Sequence, residues 1–120
     1  MIKHLDPSTP FEAQLKEESG PVCMIETIFV PREQTEEFLR IWKEDAGYMK
    51  RQPGFISAQL HRGTAGSQLL VNVGVWESTQ ALLTAFASPE FQSKAAQYND
   101  EITGYPHIFE RIAVEGICIA

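Results

Sequence analysis

The run Leu69-Leu70-Val71-Asn72-Val73-Gly74-Val75-Trp76 constrains this chain more than any other segment. It is rich in β-branched and apolar residues and carries neither proline nor charge, which makes it a strand with little exposure to water on either face. Strand side chains alternate in direction, so Leu69, Val71, Val73 and Val75 form one plain aliphatic face. Leu70, Asn72, Gly74 and Trp76 form the other. That second face combines an amide dipole, a gap at a residue without a side chain and an aromatic wall, the parts of a small pocket for a flat, partly polar molecule. The same residues also suit a plainer role, with Asn72 bonded to a loop and Trp76 packed as core.

The rest of the chain places this strand third of four. Met1 to Pro21 is an arm rich in Pro, Ser and Glu, with Phe11 and Leu15 as its only apolar anchors, and residues 22–120 form the domain proper. Val22 to Val30 reads as the first strand, stopped by Pro31. Phe38, Leu39, Ile41, Trp42, Ala46 and Met49 then recur at helical spacing against a charged opposite side, and Gln52-Pro53-Gly54 closes that helix. Phe55 to Arg62 is a second strand, joined through Gly63-Thr64-Ala65-Gly66 to the third. Ser78 suits the N-cap of a helix through Ala81, Leu82, Ala85 and Phe86, and Ser88-Pro89 suits a second cap before Phe91, Ala95 and Tyr98. A loop ending in Gly104-Tyr105-Pro106 leads to a last strand from His107 to about Ile119. The order β-α-β-β-α-β describes an α+β, ferredoxin-like antiparallel sheet with its helices on one side.

Helices on one side leave the other sheet face bare. Because Ile56, Ala58 and Leu60 join the aliphatic residues of the third strand, a partner is expected to cover that face, most simply a second copy related by a two-fold axis. The contact is expected at Ile56, Leu60, Val71 and Val73. If the hairpin loop holds an even number of residues, Phe55, Ser57, Gln59 and His61 share a side with Asn72 and Trp76, facing the helices, and a bulge would invert this. On the even register, Ser57 and Gln59 line the pocket while Phe38, Trp42, Leu82 and Phe86 close over it.

Among 120 residues the net charge is −6, with no cluster of Lys or Arg, so nucleic acid and anionic membranes are poor partners. No apolar run is long enough for a membrane span, and Pro7 breaks the start too early for a signal peptide, so a cytoplasmic address is expected. Cys23 and Cys118 each lie in a strand-like apolar run and are expected as reduced thiols. His4, His61 and His107 are far apart, without metal-ligand spacing, so no metal site is expected.

From about Val22 onward the chain resembles the antibiotic biosynthesis monooxygenase superfamily, the dimeric α/β-barrel proteins. The resemblance rests on the element order, on Gln52-Pro53-Gly54-Phe55 after the first helix, and on Asn72-Val73-Gly74-Val75-Trp76-Glu77-Ser78. It implies a homodimer that oxygenates an aromatic, phenolic or quinol-like substrate without metal or flavin, and the missing haem-branch positions named below point to no haem. Asn72 and Trp76 would hold and polarise that substrate, an amide donating to a developing oxyanion and an indole packing a flat ring. An imidazole titrates near neutral pH, so His61 is a candidate base at the pocket mouth, or simply a solvated strand-end residue.

The departures from the family pattern are equally specific. Its haem-degrading branch uses a His on the helix after the Trp and an Asn on the first strand; Ser78 to Tyr98 holds no His and Val22 to Val30 no Asn. A non-catalytic binding or regulatory module on the same scaffold needs the same pocket and stays open. RNA binding would need exposed aromatics and a basic face, where the third strand offers aliphatics.

Overall fold

The computed structural model describes residues 1–120. Its elements are α1 (Phe11–Gln14), β1 (Val22–Phe29), α2 (Thr35–Lys50), β2 (Phe55–Arg62), β3 (Leu69–Trp76), α3 (Thr79–Phe86), α4 (Pro89–Ala95) and β4 (Thr103–Phe109), with a short 3-10 turn at Arg32–Gln34 ahead of α2. The four strands pair antiparallel in the order β2-β3-β1-β4, and β3 and β1 form the centre. This is the ferredoxin-like α+β architecture anticipated from the element order. No helix is long and apolar enough to cross a membrane.

The anticipated punctuation operates as local chemistry predicts. Ser78 Oγ accepts from Ala81 N–H at 3.1 Å to start α3, and Ser88 Oγ accepts from Phe91 N–H at 3.1 Å to start α4, whose first turn carries Pro89. Gly54 has φ +87°, and a Cβ there would collide with Ala81 Cβ. The turn from α2 into β2 can therefore approach α3 only with glycine at that point.

Two expectations fail at β2. Arg62 pairs with Leu70, and Gly63 N–H bonds to Leu69 O at 2.9 Å, which leaves Thr64 to Gln68 as the turn, an odd number of residues. A register shift between Phe55 and Ser57 lets Phe55 still face inward beside Trp76. Ala58 and Leu60 consequently lie opposite Gly74 and Asn72 on the helix side. Ser57, Gln59 and His61 lie opposite Val75, Val73 and Val71 on the open face, and Leu60 belongs with the core rather than with the expected dimer contact. Ile56, Val71 and Val73 remain available there, with Ile56 half-exposed.

The last strand also begins earlier than expected. Gly104, Tyr105 and Pro106 lie inside β4, which ends at Phe109, and residues 110–120 form an exposed tail with one tight bridge between Val114 and Cys118. Cys118 is therefore exposed and outside any strand, while Cys23 sits within β1. Pro106 is tolerated because β4 is an edge strand. On its outer margin Gly104 N–H donates to Met1 O and Gly104 O accepts from Lys3 N–H, both at 2.8 Å. Ile108 donates to Gln14 Oε1 and accepts from Gln14 Nε2, both at 2.9 Å.

The N-terminal arm is thus built into the domain. Phe11 and Leu15 are buried with Val22, Trp76, Leu82 and Ala85 in one cluster, and the Phe11 ring meets Phe86 edge-on at 5.5 Å. A second cluster, formed by Ile28, Val30, Phe38, Leu70 and Ile102, lies at the far end of the same layer. Between the two clusters the layer is hollow.

Candidate functional site

The hollow is a cavity of about 350 Å³ between the inner sheet face and the helices. Strand alternation determines what the sheet contributes. Met24, Glu26 and Ile28 of β1 lie directly across from Gly74, Asn72 and Leu70 of β3, so β1 supplies a carboxyl where β3 supplies an amide. Phe38 and Trp42 from α2, with Leu82 and Phe86 from α3, complete the wall in the positions expected for them. Ser57, Gln59 and His61 do not reach it. His61 Nδ1 lies 3.3 Å from Val71 O on the opposite face of the sheet, so the register removes it as a base for this cavity.

Asn72 is only 9% exposed, and its Oδ1 is completely buried without a hydrogen-bond partner. An orphaned buried acceptor costs about 1–3 kcal/mol, which a ligand donor would recover. Trp76 is 2% exposed, and its ring packs edge-on against Phe55 at 5.4 Å. Gly74 stands between the two. The point a Cβ would occupy at Gly74 is 3.7 Å from Trp76 Nε1 and 3.9 Å from Asn72 Nδ2, so both nitrogens border one small vacancy. Two N–H donors around a common gap suit an oxygen atom that becomes negative.

Past Asn72, away from Trp76, the cavity is acidic, a feature sequence reasoning passed over. Glu26 fronts the cavity, half-buried, beside Gly104, where a Cβ would run into its carboxyl group. Burial pushes its pKa up to about 7, with the charge of Asp45 adding and the amino group of Met1 opposing. Asp45, on the inner side of α2, is raised to about 6 by burial, against the hydrogen bond it accepts from Tyr98 Oη and the charge of Lys94. Tyr98 is itself raised, by burial and by the two carboxylates. The signals were present in the sequence. Glu26 interrupts an apolar strand as Asn72 does, and Asp45 sits one turn from both Ile41 and Tyr48 on the apolar stripe of α2.

The fold has counterparts among solved structures. SnoaB from Streptomyces nogalater, a cofactor-independent oxygenase, superimposes with a TM-score of 0.73 at 24% identity, over 82% of this chain and 99% of its own. A candidate monooxygenase from Shewanella loihica gives 0.67 at 26% identity, over 80% and 98%. PA3566 from Pseudomonas aeruginosa gives 0.68 at 20%, over 79% and 97%. No curated protein matches the chain in sequence. The family model for antibiotic biosynthesis monooxygenases matches residues 21–97, the stretch that runs from the start of β1 through α4 and carries Asn72, Gly74 and Trp76, and on that match the chain belongs to the antibiotic biosynthesis monooxygenase family.

Proposed function

We propose that the protein is a cofactor-independent monooxygenase acting on a small aromatic, phenolic or quinol-like molecule bound in the cavity. The observation that carries this reading is the unpartnered Asn72 amide, which shares the Gly74 gap with Trp76 Nε1. A substrate hydroxyl bound there satisfies Oδ1. Once its proton is lost, the oxyanion accepts from Asn72 Nδ2 and Trp76 Nε1, and the flat ring packs among Phe38, Trp42, Leu82 and Phe86. The electron-rich anion reacts with dioxygen. A ring C–H carbon becomes C=O, one oxygen atom stays in the product, and the other leaves as water with the C–H and O–H hydrogens, so the substrate supplies all four electrons. Family membership and the description of SnoaB as a cofactor-independent oxygenase support this assignment.

The experiment is oxygen uptake above the uncatalysed rate with a panel of phenols and hydroquinones, with labelled dioxygen used to trace the oxygen in the product. One labelled atom per product molecule is expected. Tight binding of such molecules without any uptake would make the protein a binding module instead.

The same reading includes a homodimer formed through the open sheet face at Ile56, Val71 and Val73. Its aliphatic centre is half-exposed, and a standard interface buries on the order of 1,600 Å². Val71→Asp would bury two unpaired carboxylates at that contact. It is expected to shift the sedimentation coefficient of the chain at micromolar concentration from dimer to monomer.

A further inference from the structure

The cavity is lined by the acidic residues Glu26, Asp45 and Asp100 but by no Lys, Arg or His. An anionic ligand would therefore meet three acidic residues against the single amino group of Met1, so carboxylated or phosphorylated molecules are disfavoured. The three acids are not equivalent. Asp45 already accepts the Tyr98 hydroxyl. Glu26 takes part in no ion pair, lies directly across the strand pair from Asn72, and rests its carboxyl against Gly104, where a Cβ would push it aside.

We propose that Glu26 is the proton acceptor of this site and that the cavity selects an uncharged phenolic or enolic ligand, whose O–H reaches Glu26 while its oxygen is held by Asn72 and Trp76. The proposal rests on the monooxygenase reading for its catalytic consequence. The step is a simple transfer. The ligand O–H turns from Asn72 Oδ1 to the Glu26 carboxylate and breaks, its proton forms an O–H bond there, and the electron pair stays on the ligand oxygen beside the two N–H donors. Asp45 from α2, Tyr98 after α4, Asn72 from β3 and the Met1 amino group are the polar and ionisable groups around Glu26. With burial and Asp45 raising its pKa to about 7, Glu26 is poised to take and return a proton near neutrality.

The test uses three probes of one shape: 1-naphthol, naphthalene and the cation of 1-naphthylmethylamine. At pH 8, where Glu26 is ionised, Glu26→Gln should weaken 1-naphthol about tenfold and leave naphthalene within about twofold. At pH 5, with the carboxyl protonated, the two proteins should bind 1-naphthol alike. With a hydroquinone that the wild type oxidises, Glu26→Gln should lower kcat by about a hundredfold or more and abolish the acidic limb of the pH profile. Equal naphthol binding by the two proteins at pH 8, or an unchanged pH profile, overturns the proposal. So does a wild-type preference for the ammonium probe, which would make Glu26 the counter-ion of a cation site. Should the wild type consume no oxygen with any phenol, the monooxygenase reading fails, while the naphthol comparison still decides the role of Glu26.

Discussion

The two ends of the cavity are built on opposite terms. At one end Trp76 belongs to the buried cluster of Phe11, Leu15, Val22, Leu82 and Ala85, so the wall that would hold a ligand ring is also what holds the domain together. At the other end Glu26, Asp45 and Tyr98 bring two carboxyl groups and a phenol into an apolar layer, and burial opposes the charged form of each. Affinity at the first end comes as a by-product of folding. Acid–base capacity at the second end is maintained against folding, the pattern expected of a group retained for chemistry.

Substitutions should separate the ends accordingly. The largest effect is expected for Trp76→Ala, which empties a fully buried site and should cost roughly 3–5 kcal/mol in urea unfolding, together with lost ligand affinity. Trp76→Phe should cost less and remove only the N–H. A Trp76→Ala protein of wild-type stability would show that the aromatic end is not core. Next comes Asn72→Ala, where turnover should fall by about 3–4 kcal/mol of transition-state stabilisation if the amide donates to an oxyanion. Its stability should scarcely fall, because the substitution also removes an acceptor that has no partner in the folded chain. Strong destabilisation by this change, with unaltered turnover, would make the amide a structural group.

Glu26→Gln should act on stability in the opposite direction from Trp76→Ala, and only above acidic pH. A carboxyl whose pKa rises from 4.5 in the free chain to about 7 in the fold favours the native state fully below pH 4.5, and that contribution is lost as pH rises through 7. The glutamine variant should therefore match the wild type at pH 4 and exceed it at pH 8 by at most about 3 kcal/mol, less where cavity water solvates the carboxylate. Thermal unfolding at the two pH values measures this. A variant no more stable at pH 8 would mean that Glu26 is not held against folding. His61→Ala defines the floor, within about 0.5 kcal/mol in stability and without effect on turnover, since the side chain lies on the far side of the sheet.

How much of this was legible follows from which periodicity had to be read. Within one strand, alternation sufficed. Leu70, Asn72, Gly74 and Trp76 face inward as the pattern requires, and Phe38, Trp42, Leu82 and Phe86 surround the cavity because helical spacing fixes their stripe. Between strands, alternation fails, because relative register depends on turn parity and bulges. The odd turn after Gly63 reversed Ser57, Gln59 and His61, while the shift near Ile56 kept Phe55 inward. β4 was misread for a related reason, since Gly-Tyr-Pro punctuates a loop except on a sheet margin, where Pro106 gives up no ladder bond. The acidic end escaped notice because Glu26 and Asp45 come from separate elements, and only the β1–β3 pairing and the packing of α2 on the sheet bring them to one cavity.

The outer margin of β4 has a consequence for growth of the sheet. Along that margin Gly104 is bonded to Met1 and Lys3, Pro106 has no N–H to offer, and Ile108 is bonded in both directions to the side chain of Gln14. A foreign strand approaching there finds no free N–H, so lateral polymerisation on this side is hindered by the arm, one amide side chain and one proline. Cleavage of the chain before β1 would release the rungs at 104 and 108 together. The domain would then have a margin able to recruit further strands.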